Sequence, residues 1–250
     1  MTLLAEAPRR TLTTPALVAV SHGTSSPTGQ SAVAALVAAV ADARPGVLVT
    51  GGFVDVQQPD VRAALTSIAP SAPAVVVPLL LSAGYHVHVD LRSELDATLD
   101  RVTVLGRALG PDDRLTDLLL RRLREAGIRD SDRVALACAG SSDARALDDC
   151  HEMGDRLSRR IGRPVRVGFI SAAFPRLADA VGLERAGARG ARVVVSTYLL
   201  APGYFSDLAR ATGADVVTEP LLSADGAVPR ELVELVLDRY EAVARHPSFG

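Results

Sequence analysis

The chain of 250 residues contains no lysine, so all 27 of its basic residues other than histidine are arginines. That absence excludes a lysine Schiff base and a Walker phosphate loop. Cysteine is scarce: Cys138 and Cys150 are the only two. Two are too few for a disulfide framework and lack metal-ligand spacing, so both are expected to be free structural thiols in a reducing compartment. No apolar run approaches the ~20 residues of a membrane-spanning helix. Residues 1–14 carry Arg9 and Arg10 but no following apolar stretch long enough for a signal peptide, so a cytoplasmic location without membrane contact is expected. A formal net charge of −2 does not favour a nucleic-acid partner.

What the chain does have is apolar material, 48% of its residues, enough for a large buried core. Short β-branched runs alternate with longer Ala/Leu/Arg/Asp segments of helical period, the pattern of βαβ units on a parallel sheet. In the first half strands are predicted near 16–20, 47–53, 74–81 and 102–105, and helices near 27–43, 59–68, 87–99 and 111–126. Ser26 ahead of Pro27 reads as a helix N-cap, and Gly127 as a helix stop. The second half repeats the order, with strands near 133–137, 165–170, 192–198 and 215–217 and helices near 143–160, 175–186, 204–211 and 228–243.

Local motifs recur with the elements. Gly23 and Gly140 stand 117 residues apart, Asp55 and Ser171 116 apart, and Gly84 and Gly203 119 apart. So small a drift across both halves indicates a duplicated α/β domain. The expected division is 1–128 and 129–250, with the boundary near 127–132.

Three of the five histidines fall where a parallel α/β protein builds its site. His22 closes one apolar run, and His86 and His88 follow another in the segment PLLLSAGYHVHVD. Ligands in open α/β sheets bind beyond the carboxyl ends of the strands, so histidines from two strand ends can converge there on a metal ion. The second copy has Ala139 opposite His22, Phe205 opposite His86 and Asp207 opposite His88. Loss of all three from one copy favours chemistry over packing as their role in the other. His151 and His246 are expected at the surface. The hydroxyl-rich run at 21–26 precedes a helix, where it either receives a substrate carboxylate or caps the helix.

The combination of His22-Gly23-Thr24, of Phe53-Val54-Asp55 with Pro59 four residues on, and of the segment running from Val77 through His86 and His88 to Asp90 resembles the sirohydrochlorin chelatase family. The resemblance implies two tandem, similar flavodoxin-like domains with parallel sheets and a cleft between them. It implies ATP-independent insertion of a divalent metal, iron or cobalt, into a partly reduced tetrapyrrole bearing eight carboxylates. The family usually has glutamate where Asp55 stands, which keeps the carboxylate and shortens its reach by one methylene.

The chemistry also follows from the residues. Insertion requires a site that holds the ion, releases it to four pyrrole nitrogens and accepts the two protons they lose. Neutral imidazole binds Fe²⁺, Co²⁺, Ni²⁺ and Zn²⁺ without the near-permanence of a thiolate cage, and imidazoles titrate near neutrality. His22 and His86 are the expected metal-holding and proton-accepting pair, with Asp55 a third candidate ligand. At a helix start His88 diverges from His86, which makes it a cleft-lining residue, while Asp90 either orients an imidazole or sits in a first helical turn.

Iron insertion giving sirohaem is the first expectation, and the cobalt reaction of cobalamin synthesis the second. The metal is a substrate, no organic cofactor is expected, and a monomer suffices because a duplicated chain supplies its second domain in cis. A non-catalytic metal-delivery protein and a flavodoxin-like nucleotide or phosphate binder are the alternatives from other classes.

Overall fold

The structure is a computed structural model that describes residues 14–70, 72–82, 101–187 and 190–245 together with Leu91 and Leu95. Among these residues two four-stranded sheets form, each entirely parallel. The first contains β1 (Ala16–Ser21), β2 (Val49–Phe53), β3 (Ala74–Pro78) and β4 (Thr103–Leu105), in the order β2-β1-β3-β4. The second contains β5 (Arg133–Cys138), β6 (Val165–Phe169), β7 (Val193–Tyr198) and β8 (Val216–Val217), in the order β6-β5-β7-β8. The helices are α1 (Pro27–Ala43), α2 (Val61–Thr66), α3 (Asp113–Glu125), α4 (Ala144–Ile161), α5 (Leu177–Gly187), α6 (Tyr204–Arg210) and α7 (Arg230–Ala244). The doubly wound order of each sheet is that of a flavodoxin-like domain, as expected.

The central strands are mostly apolar because both sheet faces are covered. Along β1, Leu17 and Ala19 face one core while Ala16, Val18 and Val20 face another; along β5, Val134, Leu136 and Cys138 are separated in the same way from Ala135 and Ala137. The first face of each sheet meets a common layer of four helices, α1, α3, α4 and α7, in one continuous core. The outer faces are covered by α2 with Leu91 and Leu95 on the first sheet, and by α5 and α6 on the second. Leu91 and Leu95 are helical and buried, four residues apart on one helical face; the remainder of the helix expected at 87–99 lies outside the described residues.

The last helix of each half crosses to the other half. α3 packs on β7 and α4 of the second unit, and α7 packs on β3 and α1 of the first. Polar bonds secure the crossing. The Tyr240 hydroxyl donates to the Pro15 carbonyl at 2.6 Å, and Arg239 donates to the carbonyls of Ala108 and Leu109 at 2.9 and 2.8 Å. In the other direction Arg122 donates to the carbonyls of Pro220 and Leu221 at 3.1 and 2.9 Å, and Arg160 pairs with Asp117.

The connection between the halves is tied down as well. After α3, Gly127 adopts a left-handed φ of 69°, which ends the helix as its sequence position suggests. Arg163 donates to the carbonyls of Arg129 and Asp130, while Arg192 donates to the Gly127 carbonyl at 2.7 Å and to the Asp132 carboxylate at 2.8 Å. Burial pushes the Asp132 carboxyl upward, but the Arg192 hydrogen bond, the Arg129 N–H and both arginine charges outweigh it and hold the group below the ordinary carboxylate range.

Three outcomes are expected. Leu235→Ala, which hollows the shared core at a fully buried position, should lower the free energy of unfolding by about 2–5 kcal/mol. Urea titration should show both halves lost in a single transition. A lowered folded-state pKa stabilises above the unfolded value of about 3.9 and ceases to do so as pH falls through the folded value. Asp132→Asn should therefore be less stable than the parent at neutral pH and show a flatter dependence below about pH 4, followed by circular dichroism melts.

Candidate active site

In a sheet of order 2-1-3-4 the chain reverses its winding direction between the first and third strands, and a crevice opens there at the carboxyl ends. Both such points face one cavity of about 500 Å³. Ser21 at the end of β1, His22 after it and Leu79 to Leu81 after β3 line it from the first unit. Ala139 after β5 and Leu199 and Leu200 after β7 line it from the second. The leucines predicted to prolong β3 leave the ladder instead. The Leu79 N–H bonds to the Val20 carbonyl at 2.7 Å; beyond it, the Leu80 carbonyl accepts from the Leu109 N–H and the Leu81 carbonyl from the Tyr198 hydroxyl, each at 2.8 Å. Leucine side chains freed from the sheet form the cavity wall.

His22 is exposed at the head of a tightly specified turn. Its carbonyl accepts from the Asp55 N–H at 3.0 Å, which joins the β1 and β2 ends. Gly23 follows with φ 94°, and a Cβ there would lie 2.0 Å from the Asp55 carbonyl oxygen. Only glycine fits a backbone approach this close in that conformation. Two glutamine side chains fix the next residue: Gln57 Oε1 accepts from the Thr24 N–H at 2.9 Å, and Gln30 Nε2 donates to the Thr24 carbonyl at 2.8 Å. Ser26 caps α1 by accepting from the Gly29 N–H, and Thr24 Oγ1 accepts from the Ser26 N–H, so the capping role expected of this hydroxyl-rich run is met.

The second repeat builds the same turn without the imidazole. Gly140 has φ 95°, a Cβ on it would lie 1.9 Å from the Ser171 carbonyl oxygen, and the Ser171 N–H donates to the Ala139 carbonyl at 2.9 Å. Val56 and Ala172, each next after the paired residue, both have positive φ, 67° and 54°. Such strain often marks a reactive site. Here it occurs in both copies, and the second turn carries no histidine, so it belongs to the scaffold.

The expected site residues are thus partly assembled. His22 and Asp55 are joined through their backbones. The Asp55 carboxylate is exposed and accepts from the Val56 N–H at 2.7 Å, while His22 and Gln57 line the cavity. His86, His88 and Asp90 lie outside the described residues, as does His246. Among the described residues no three histidine, cysteine or acidic side chains gather as a metal-binding group. His151 is exposed, its ring edge-on to Phe169 at 5.7 Å.

Cys138 and Cys150 are free and buried at the cavity's inner wall. Burial, together with the adjacent Cys150, pushes the Cys138 thiol well up, which keeps it protonated. Burial likewise raises the Tyr198 phenol. Sequence reasoning missed Gln57, the Leu79 to Leu81 wall and Tyr204, which also lines the cavity. A glutamine in a loop or a tyrosine at the head of a helix carries no periodicity that would have marked it. A separate groove of about 750 Å³ beside α3 and α7 shares no lining residue with this cavity, and its charges pair among themselves, as Arg121 does with Glu231 at 2.8 Å.

Residues 16–126 and, separately, 133–246 each match the CbiX family. The chain belongs to the CbiX family. It is 30% identical over 135 residues to a sirohydrochlorin ferrochelatase of Priestia megaterium, a match covering 51% of this chain and 50% of that protein. It is 31% identical over 88 residues to a sirohydrochlorin cobaltochelatase of Sulfurisphaera tokodaii, covering 34% of this chain and 72% of that one. The chain thus spans half the length of the first of these relatives.

Among solved structures, SirB from Bacillus subtilis with Fe³⁺ superposes with a TM-score of 0.74 at 21% identity, over 92% of this chain and 96% of that one. A CbiX structure described as the terminal enzyme of sirohaem biosynthesis in denitrifying bacteria superposes with a TM-score of 0.65 at 16% identity, over 91% and 99%. The architecture of this CbiX-family chain is therefore the two-unit chelatase fold. No described helix is long and apolar enough to cross a membrane.

Gly23→Ala should be destabilising by about 1–3 kcal/mol from backbone strain alone, with the clash on the Asp55 carbonyl in addition. Thermal melts check the stability. The resonances of His22 should shift with it, because the turn that presents the ring must open.

Proposed function

We propose that this chain is a sirohydrochlorin chelatase that inserts a divalent metal, Fe²⁺ first and Co²⁺ second, into the tetrapyrrole without ATP. The observation that carries this reading is the duplicated glycine turn. In a CbiX-family chain, one copy presents His22 to the cavity between the two sheets and the other presents only Ala139 at the same place. A scaffold kept in both copies, with the imidazole in one, separates the packing role of the turn from the chemical role of the side chain.

His22 does two things in this reaction. Its imidazole nitrogen donates a lone pair to the incoming ion, and as the ion passes to the pyrrole nitrogens the freed imidazole takes up one of the two protons they release. His86, from the segment after β3, is the proposed partner for the second ligand position and the second proton. Two imidazoles leave coordination positions open for the macrocycle. Asp55 is bonded by its backbone to His22 and stands ready as a third ligand when its carboxylate turns from the Val56 N–H; His88 and Asp90 are assigned to the cleft around the ligands.

The same proposal places the catalytic domain at 1–128 and the repeat that lacks the metal-site histidines at 129–250. It has the protein working as a cytoplasmic monomer without organic cofactor, membrane or nucleic acid. Iron ranks before cobalt only as a first choice, because both ions accept imidazole and carboxylate ligands and selectivity follows availability.

Anaerobic insertion of Fe²⁺ and Co²⁺ into sirohydrochlorin, followed by visible absorption, tests the reading. The wild type should accelerate insertion, and His22→Ala and His86→Ala should each reduce the rate by about 10²-fold or more, the scale of a lost acid–base group, while remaining folded. Unchanged rates in the variants would refute the site assignment. No acceleration by the wild type with either ion would refute the chelatase reading and favour metal delivery.

A further inference from the structure

The part of the cavity wall supplied by the second repeat carries a feature that the metal chemistry does not use. Tyr204 and Phe205, at the start of α6 in the repeat that lacks the metal-site histidines, both line the cavity, and their rings lie side by side with centroids 6.1 Å apart and a 44° tilt. Tyr204 is 68% exposed, the second most exposed large hydrophobic side chain among the described residues, in a chain whose aromatic content is only 4%. Phe205 is half-buried beside it. An aromatic pair left open to a cavity is apolar surface awaiting a cover.

Its position relative to the chemistry is fixed by a close contact between the two repeats. A Cβ on Gly203, the residue before Tyr204, would lie 3.1 Å from the Thr24 side chain, which follows His22 and Gly23; one on Gly29, in the first turn of α1, would lie 2.3 Å from the Pro202 carbonyl oxygen. The loop bearing His22 and the Pro202-Gly203 loop that leads into Tyr204 and Phe205 thus touch. Thr24, Gly29 and Gly203 are small enough to let them. In the duplication, Phe205 occupies the place that His86 holds in the first repeat. At this place the second repeat has exchanged an ion-binding side chain for a flat apolar one.

We infer that Tyr204 and Phe205 form the seat for one face of the conjugated macrocycle, so that the tetrapyrrole leans on the second repeat while the metal is delivered to its other face from the first. The inference rests on the chelatase reading and adds to it a division of labour between the repeats. Ring faces stack on a flat conjugated ligand and exclude water from it, a contribution that does not depend on which metal is inserted. Tyr204 and Phe205 are positioning residues in this scheme: they hold the macrocycle and leave ion capture to the histidines.

The test is binding of metal-free sirohydrochlorin to the full chain, followed by its absorption, beside steady-state insertion of Co²⁺. Tyr204→Ala combined with Phe205→Ala should weaken tetrapyrrole binding and raise its KM by about tenfold or more, the scale expected when a stacking ring is cut back to alanine. Co²⁺ affinity in the absence of tetrapyrrole should be unchanged, and kcat should move far less than KM. Tyr204→Phe with Phe205→Tyr should restore binding. The single variant Tyr204→Ala, at an exposed position, keeps the test sound if the double variant is unstable. Wild-type binding matched by folded alanine variants would overturn this inference and leave the chelatase reading standing. A wild type that does not bind the tetrapyrrole would overturn both.

Discussion

The structure depends on a single apolar layer. Four helices, α1, α3, α4 and α7, fill the space between two parallel sheets, and the residues that bury Leu17 and Ala19 of one sheet also bury Val134 and Leu136 of the other in one connected core. Because each half sends its last helix across to its neighbour, neither sheet completes this layer with its own helices. Separating the units would expose Leu232, Leu235 and Val236 on one side and Leu115, Leu118 and Leu119 on the other, all fully buried. Each such side chain is worth on the order of 1.5–3 kcal/mol in burial.

That layer sets the sheets face to face, and the cavity follows from it. Both sheets direct the carboxyl ends of their central strands to the same place, so the winding reversal of each contributes to one cleft. Where the helical layer ends, the Leu79 to Leu81 segment and Tyr198 close the inner wall, and the Tyr198 hydroxyl, bonded to the Leu81 carbonyl, joins the two units there. A duplicated chain thereby makes an asymmetric site from a symmetric frame. The frame is kept by Gly23 and Gly140, whose turns match to within a degree in φ and 0.1 Å in backbone approach. The function is carried by what stands beside them, a histidine in one copy and an alanine in the other.

This separation of frame from chemistry explains why the turn tolerates strained residues in both copies. Val56 and Ala172 adopt the same unusual backbone conformation although only the first lies near an imidazole. The strain stabilises nothing by itself. It is the geometric consequence of bringing the ends of neighbouring parallel strands together over a glycine, and the bonds from the Asp55 and Ser171 N–H groups hold it in place.

The sequence alone determined the elements, their order and their duplication, because these are written in local patterns: short apolar runs for β1 and β5, a serine and proline at the head of α1, a glycine after α3. It also marked His22 and Asp55, because residues at strand ends are legible once the strands are. Three matters were decided only in three dimensions. The crossing of α3 and α7 pairs residues more than 100 positions apart, such as Arg239 with Leu109 and Tyr240 with Pro15, and no local pattern records which of two apolar sheet faces a helix covers. The role of Gln57 depends on a side chain reaching back 33 residues to the Thr24 N–H. The aromatic wall of Tyr204 and Phe205 becomes meaningful only when the contact of Thr24 with Gly203 brings two distant loops to one cleft. Periodicity reports what a residue does for its own element, whereas the meeting of elements is set by the packing of the whole core.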